Sequence, residues 1–128
     1  MSPISATFAL LLGSLLTSLA MNTTRQRLRF ARDAGPEAKE SIRRASRAHG
    51  NTLEHGLPFL LLIFFAERGG ASATWLWVLC GLFVAGRISY AYGMLTRPTS
   101  PPMRYAAALT YLLEIALLAT LARTLLAS

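Results

Sequence analysis

Cysteine is almost absent from this sequence: its 128 residues contain one, Cys80, which lies in an apolar run. A single cysteine excludes an intrachain disulfide framework, and we expect this thiol to be a small buried apolar side chain. The two histidines, His49 and His55, are six residues apart, about 240° around a helix, so they cannot bind one metal ion from one face. The sequence therefore predicts neither a disulfide scaffold nor a metal site.

Acidic residues are also scarce, with 6 Asp and Glu against 13 Lys and Arg, although the chain is 53% hydrophobic. The mean hydropathy is +0.42. The basic residues lie between apolar runs, and no pattern of stacking aromatics accompanies them, which argues against a nucleic-acid partner. This combination predicts one membrane domain over residues 1–128, with cationic loops in contact with lipid.

The apolar pattern predicts an all-α integral membrane protein, a four-transmembrane-helix bundle. Its helices are expected at about 4–24, 36–66, 71–95 and 103–126. Ser18-Leu19-Ala20 resembles a signal-peptide cleavage site, but Met1 to Ser5 contains no Lys or Arg, so we expect a retained first helix. The second helix, at 1.5 Å per residue, is about 45 Å long and exceeds the bilayer core of about 30 Å, so its first turns should project into water.

The orientation follows from the positions of the basic residues. Eleven of them lie at one end of the predicted bundle: Arg25, Arg27, Arg29, Arg32, Lys39, Arg43, Arg44, Arg47, Arg87, Arg97 and Arg104. Only Arg68 and Arg123 lie at the other end. By the positive-inside rule the first and third loops face the cytoplasm and both termini face away, in the inner membrane if the protein is bacterial.

One face of the second helix carries polar groups into the membrane. At about 100° per residue, Arg47, Asn51, Glu54 and Pro58 share a narrow sector of this helix. Pro58 also frees the carbonyl of Glu54, because proline has no N–H to donate. Charged groups at this depth should face protein or a polar cavity.

These residues resemble the signature of the MAPEG family, the membrane-associated proteins of eicosanoid and glutathione metabolism. The resemblance rests on three blocks: Arg47-Ala48-His49 with Asn51, Glu54 and Pro58-Phe59-Leu60; Gly86-Arg87-Ile88-Ser89-Tyr90; and Pro102-Met103-Arg104-Tyr105. It is similar to bacterial-type members near microsomal glutathione transferase and prostaglandin E synthase. The resemblance implies a homotrimer with a glutathione site in each subunit interface, near the cytoplasmic side.

The resemblance also implies which residues bind glutathione: Gly50, Asn51, Glu54 and Tyr90, with Arg104 opening the fourth helix and Arg25 or Arg27 contributed by the neighbouring subunit. The charge inventory adds Arg44 and Arg47 at the rim, since arginine forks suit the two carboxylates of glutathione. Arg87 lies at the same predicted depth as Glu54, so Glu54 pairs either with Arg87 or with the ligand ammonium.

The expected function is a glutathione-dependent membrane enzyme that conjugates glutathione to lipophilic electrophiles or reduces hydroperoxides. Arg104 and the N-terminus of the fourth helix would stabilise the thiolate, with Arg97 as the competing cation. Gly50 and Tyr105 depart from the prostaglandin enzyme, and Met94 stands where relatives often have a second tyrosine. These departures argue against eicosanoid isomerase activity. The alternatives are a small four-helix transporter, with the deep carboxylate Glu114 as its coupling group, and a non-catalytic protein that binds lipid or a partner. Without such a role, Glu114 is expected to be protonated and hydrogen-bonded in the trimer core.

Overall fold

The computed structural model describes residues 4–127, which form four α-helices joined by short connections. These helices are α1 (Ile4–Arg29), α2 (Pro36–Arg68), α3 (Ala73–Thr96) and α4 (Pro101–Ala127). Three of them, α1, α3 and α4, are long and apolar enough to cross a membrane. The predicted all-α membrane fold is confirmed, while the two ends of the predicted 1–128 domain lie outside the described residues.

Several helix boundaries differ from the predicted ones by a few residues, and two of these differences have a clear physical reason. The first helix ends at Arg29 rather than near residue 24, and cations in its last turn interact favourably with the negative end of the helix dipole. The fourth helix begins at Pro101 rather than Met103. Proline fits a first helical turn because the N–H that it lacks would have no partner there. The prolines therefore start α4 instead of preceding it.

The helices pack in an order that leaves α2 and α3 central. The outer helix α1 packs mainly on α2, and α4 packs on both α3 and α2. Within residues 4–127, the backbones of α1 and α4 do not approach each other. The end of the bundle at which α1 ends, α2 begins, α3 ends and α4 begins is called here the arginine-rich end.

The opposite end is fixed by a carboxylate and a tight turn. The Glu67 carboxylate accepts hydrogen bonds from the backbone N–H groups of Ile4 and Ser5, at 3.0 and 2.9 Å. A negative charge at a helix N-terminus is favourable, so this contact holds α1 against the end of α2. Gly70 has φ +80°, a backbone conformation that favours glycine, and it lets the chain reverse into α3.

The interior has two apolar regions separated by polar side chains. On the side away from the arginine-rich end, Phe8, Phe59 and Phe83 pack with ring centroids 4.0 to 5.6 Å apart. Cys80 is buried in this region, as the sequence predicts. A second, smaller core of Leu, Ala, Met and Tyr side chains lies towards the arginine-rich end. The polar side chains between these regions form the candidate site: Asn51, His55, Arg87, Thr110 and Glu114.

Candidate functional site

Arg87 lies at the centre of the bundle, and its side chain is held by uncharged partners. The residue is 1% exposed. Its two terminal nitrogens donate hydrogen bonds to Asn51 Oδ1 at 2.7 Å and to Thr110 Oγ1 at 2.6 Å. The guanidinium carbon also lies 4.7 Å from the ring centroid of Tyr90, within the range of a cation–π interaction. Arg87 thus ties α2, α3 and α4 together.

A second polar contact lies one helical turn further from the arginine-rich end. His55 Nδ1 lies 2.8 Å from Glu114 Oε1, so α2 and α4 are joined directly. The spacing is regular, because His55 follows Asn51 by four residues and Glu114 follows Thr110 by four. The two contacts are stacked along the seam between α2 and α4. The expected hydrogen bond of Glu114 is made within one subunit, to His55.

The anticipated pair between Glu54 and Arg87 does not form within the subunit. Glu54 is exposed and has no ionic or hydrogen-bond partner among residues 4–127. Equal depth along two helices does not bring side chains together unless both also face the same seam. Arg87 faces Asn51 and Thr110, whereas Glu54 faces outward beside Asn51. Of the two partners considered for Glu54, Arg87 is excluded within the subunit, and the ligand ammonium stays a prediction.

The other residues expected in the site fall into two groups. Arg25, Arg27, Arg47 and Arg104 have exposed side chains near the arginine-rich end. Gly50 is half-buried, and a Cβ atom added there would meet nothing within 4 Å, so the position is open. Tyr90, in contrast, is 5% exposed and lies beside Arg87 in the interior. Within one subunit, Tyr90 and Arg87 therefore lie behind Asn51 rather than on the surface.

Arg44 takes part in a separate ion cluster at the start of α2. Glu40 Oε1 and Oε2 accept hydrogen bonds from Arg43 and Arg44 at 2.7 to 2.9 Å. These bonds, first from Arg43 and then from Arg44, lower the pKa of the Glu40 carboxyl to about 2. Arg44 and Glu40 also line a cleft of about 340 Å³ with residues from α1 and α3. Arg44 is thus already paired within its own subunit.

The start of α4 supplies fewer backbone donors than the sequence suggested. Pro101 and Pro102 occupy its first two positions, and neither has an N–H group. The N–H of Arg104 is already bonded to the carbonyl of Ser100 at 3.1 Å. Only the N–H of Met103 remains in this turn, so an anion bound here would depend mainly on the guanidinium groups of Arg104 and Arg97.

Sequence reasoning missed two residues of the polar seam. No motif in the sequence points to Thr110, and the spacing of the two histidines bears on His55 only as a metal ligand. The signal that identifies them is the pair of four-residue spacings, Asn51 with His55 and Thr110 with Glu114, in two otherwise apolar helices. Polar side chains on one line of a membrane helix indicate a shared contact with another helix.

Comparison with known proteins supports the resemblance seen in the motifs. The model of the MAPEG family matches residues 5–124. The chain is 32% identical over 91 residues to the inner membrane protein YecN of Escherichia coli K12, covering 70% of this chain and 69% of that protein. The YecN of E. coli O6:H1 matches with the same identity and coverage.

Proposed function

The chain belongs to the MAPEG family of membrane proteins, and from this premise we propose that it is a glutathione-dependent membrane enzyme. Its second substrates are lipophilic electrophiles or hydroperoxides, to which it conjugates glutathione or which it reduces. The working unit is a homotrimer with a binding site in each subunit interface. The site lies at the arginine-rich end, which faces the cytoplasm.

The observation that carries this proposal is the isolated carboxylate of Glu54. It lies on the exposed face of α2, two turns beyond the exposed guanidinium of Arg47. From Arg47 to Glu54 the helix rises about 10 Å, which carries the carboxylate towards hydrocarbon. An unpaired charge there is costly, so a cation from a ligand or a neighbouring subunit should pair with the Glu54 carboxylate.

Glutathione fits the groups on this face. Its ammonium complements the Glu54 carboxylate, and its carboxylates suit the arginine side chains of Arg47 and Arg104. The amide nitrogen of Asn51 remains able to donate, because only its oxygen is taken by Arg87. Arg25 or Arg27 of a neighbouring subunit supplies a further cation, as in the family resemblance. Arg87 and Tyr90 support Asn51 from the interior.

The test is glutathione-dependent thermal stabilisation of the detergent-solubilised trimer. Glu54→Gln should weaken glutathione binding by about 1.5 to 3 kcal/mol, the value of a charged hydrogen bond, without lowering the melting temperature of the free protein. Glu37→Gln, an exposed carboxylate in the first turn of α2, is the matched control and should bind normally. Equal binding by the wild type and Glu54→Gln would refute this assignment.

The competing function, a transporter, makes a different prediction. A transporter that uses Glu114 should show proton-coupled uptake in sealed vesicles, and Glu114→Gln should abolish that uptake. Glutathione should then leave the melting temperature unchanged. Glutathione binding without proton-coupled uptake supports the enzymatic function.

A further inference from the structure

The end of α3 and the start of α4 enclose a cleft of about 700 Å³, named here the α3–α4 cleft. None of the residues assigned to glutathione lines it. Tyr92, which does, is 70% exposed, whereas Tyr90 is 5% exposed and lies beside Arg87 in the interior. Two residues turn a helix by about 200°, so the cleft lies on the outer side of α3. It is therefore separate from the proposed glutathione site.

The polar side chains that line this cleft are mostly free to bind a ligand. Among residues 4–127, the guanidinium of Arg97 and the hydroxyls of Ser89, Tyr92 and Ser100 make no hydrogen bond or ion pair. The backbone of Arg97 is held on both sides. Its N–H donates to the carbonyl of Gly93 at 2.7 Å, and its carbonyl accepts from the N–H of Ser100 at 3.1 Å. The cleft thus combines a permanent cation on a fixed backbone with three hydroxyl donors.

The charges in the cleft favour a phosphate ester without an ammonium group. No Asp or Glu of the described chain lines the cleft. Glu37 and Glu40 line the other cleft at this end, and Asp33 accepts a hydrogen bond from the backbone of Gly35. The paired N–H groups of a guanidinium match the oxygens of a phosphate, and hydroxyls can donate to the same oxygens. An ammonium group would meet Arg97 and no carboxylate.

An apolar stripe on α3 continues from the cleft towards the opposite end of the bundle. Residues 4, 7 and 11 positions before Ser89 share its face of the helix, and these are Ala85, Leu82 and Val78. All three are exposed, Leu82 to 44% and Val78 to 46%. Tyrosine is enriched at membrane surfaces, so the exposed Tyr92 places the cleft at the level of lipid headgroups. A lipid can therefore use both the cleft and the stripe, whereas a soluble phosphate ester can use only the cleft.

We propose that the α3–α4 cleft is a binding site for the headgroup of an anionic phospholipid in the leaflet at the arginine-rich end. Arg97 pairs with the phosphate, and the hydroxyls of Ser89, Tyr92 and Ser100 bind the remaining oxygens of the headgroup. An acyl chain lies along the apolar stripe of α3. This inference goes beyond the proposed function, because the lipid binds outside the glutathione site and needs no glutathione.

The experiment offers the purified protein equal amounts of phosphatidylglycerol and phosphatidylethanolamine with identical acyl chains, and native mass spectrometry measures which lipid is retained. The wild type should retain phosphatidylglycerol in at least about tenfold excess. Arg97→Gln should lower this ratio by about tenfold, because it removes a charge-assisted hydrogen bond, and Tyr92→Phe should lower it by about threefold. Arg32→Gln is the matched control, since Arg32 is an exposed cation at the same end outside the cleft, and it should keep the wild-type ratio.

Glycerol 3-phosphate, which has a phosphate ester but no acyl chains, separates a lipid site from a site for a soluble ester. It should leave the retained phosphatidylglycerol in place, and displacement of the lipid would overturn the proposal. Equal retention of the two lipids by the wild type would also overturn it, as would an equal fall in the ratio in Arg97→Gln and Arg32→Gln. Separation of the subunits in Arg97→Gln with unchanged lipid retention would show that a second copy occupies the cleft, and the proposal would fail. Every measurement is made without glutathione, so failure here leaves the proposed enzymatic function untouched.

Discussion

Arg87 is a cation buried inside a membrane protein, and uncharged groups orient its side chain. Its partners are an amide oxygen, a hydroxyl and an aromatic ring, contributed by Asn51, Thr110 and Tyr90. Its third nitrogen, Nε, has no partner among the described residues. The guanidinium is therefore satisfied incompletely, and the loss of either remaining hydrogen bond should affect stability directly.

We predict that Thr110→Val destabilises the protein by about 1 to 3 kcal/mol, because it keeps the shape of the side chain but removes an acceptor from a buried charged group. Thr110→Ser keeps the hydroxyl and is the control for the loss of a methyl group. Melting temperatures of the two variants in the same detergent provide the comparison. If Thr110→Val and Thr110→Ser have the same melting temperature, the hydrogen bond to Arg87 makes no measurable contribution to stability.

A second prediction concerns Arg104, a permanent cation near the start of α4. Few backbone N–H groups are free in that first turn. A free thiol has a reference pKa near 8.5, and a nearby cation favours the thiolate. Arg104→Ala should keep glutathione affinity within about tenfold but raise the pKa of the bound thiol by about one to two units and slow turnover. Titration of thiolate absorbance in the wild type, Arg104→Ala and Arg97→Ala measures this. A shift in Arg97→Ala alone would assign the role to Arg97.

Packing between helices depends on a few glycines, and one close approach near the site joins α3 to α4. A Cβ atom at Gly93 would lie 2.8 Å from Met103 Cβ, next to the backbone of α4. This contact sets the distance between the end of α3 and the start of α4. It thereby positions Arg104, the next residue after Met103.

Gly93→Ala should therefore lower stability by about 1 to 3 kcal/mol, the usual cost of overpacking, although alanine favours helices. Gly81→Ala is the matched control, since Gly81 lies in the same helix and a Cβ there meets nothing within 4 Å. Thermal unfolding of the two variants in one detergent separates packing from helix propensity. The interpretation fails if both variants are equally stable.

The whole molecule has a strong asymmetry of charge: ten of its 13 basic residues lie at one end, two lie at the other, and Arg87 is in the interior. Exposed cations at that end suit the anionic cytoplasmic leaflet of a membrane. The proposed glutathione site lies at the same end, where cytoplasmic glutathione can reach it. The proposed function therefore depends on the predicted orientation.

The orientation is tested with single cysteines introduced into a Cys80→Ala background. Ala34→Cys, in the loop between α1 and α2, should resist an impermeant thiol reagent in intact cells and react after lysis. Ala127→Cys, at the end of α4, should react in intact cells. Both positions are exposed, so reactivity reports access rather than burial. Labelling of Ala34→Cys in sealed cells would reverse the orientation and move the proposed site out of the cytoplasm.

The sequence alone determined the number of helices, their membrane character and the polar face of α2. These properties depend on hydropathy and on a periodicity that is fixed within each helix, so a linear pattern contains them. It also identified Arg87 and Glu114 as deep charged residues, because depth follows from the rise per residue.

Only the tertiary structure decided which of these deep groups meet. The rotation of each helix about its axis is set by side-chain packing against its neighbours, such as the contact of Gly93 with Met103, and no local pattern records it. That rotation turns Arg87 towards Asn51 and Thr110, leaves Glu54 facing outward, and brings His55 to Glu114. Depth is a property of one helix, whereas contact is a property of two.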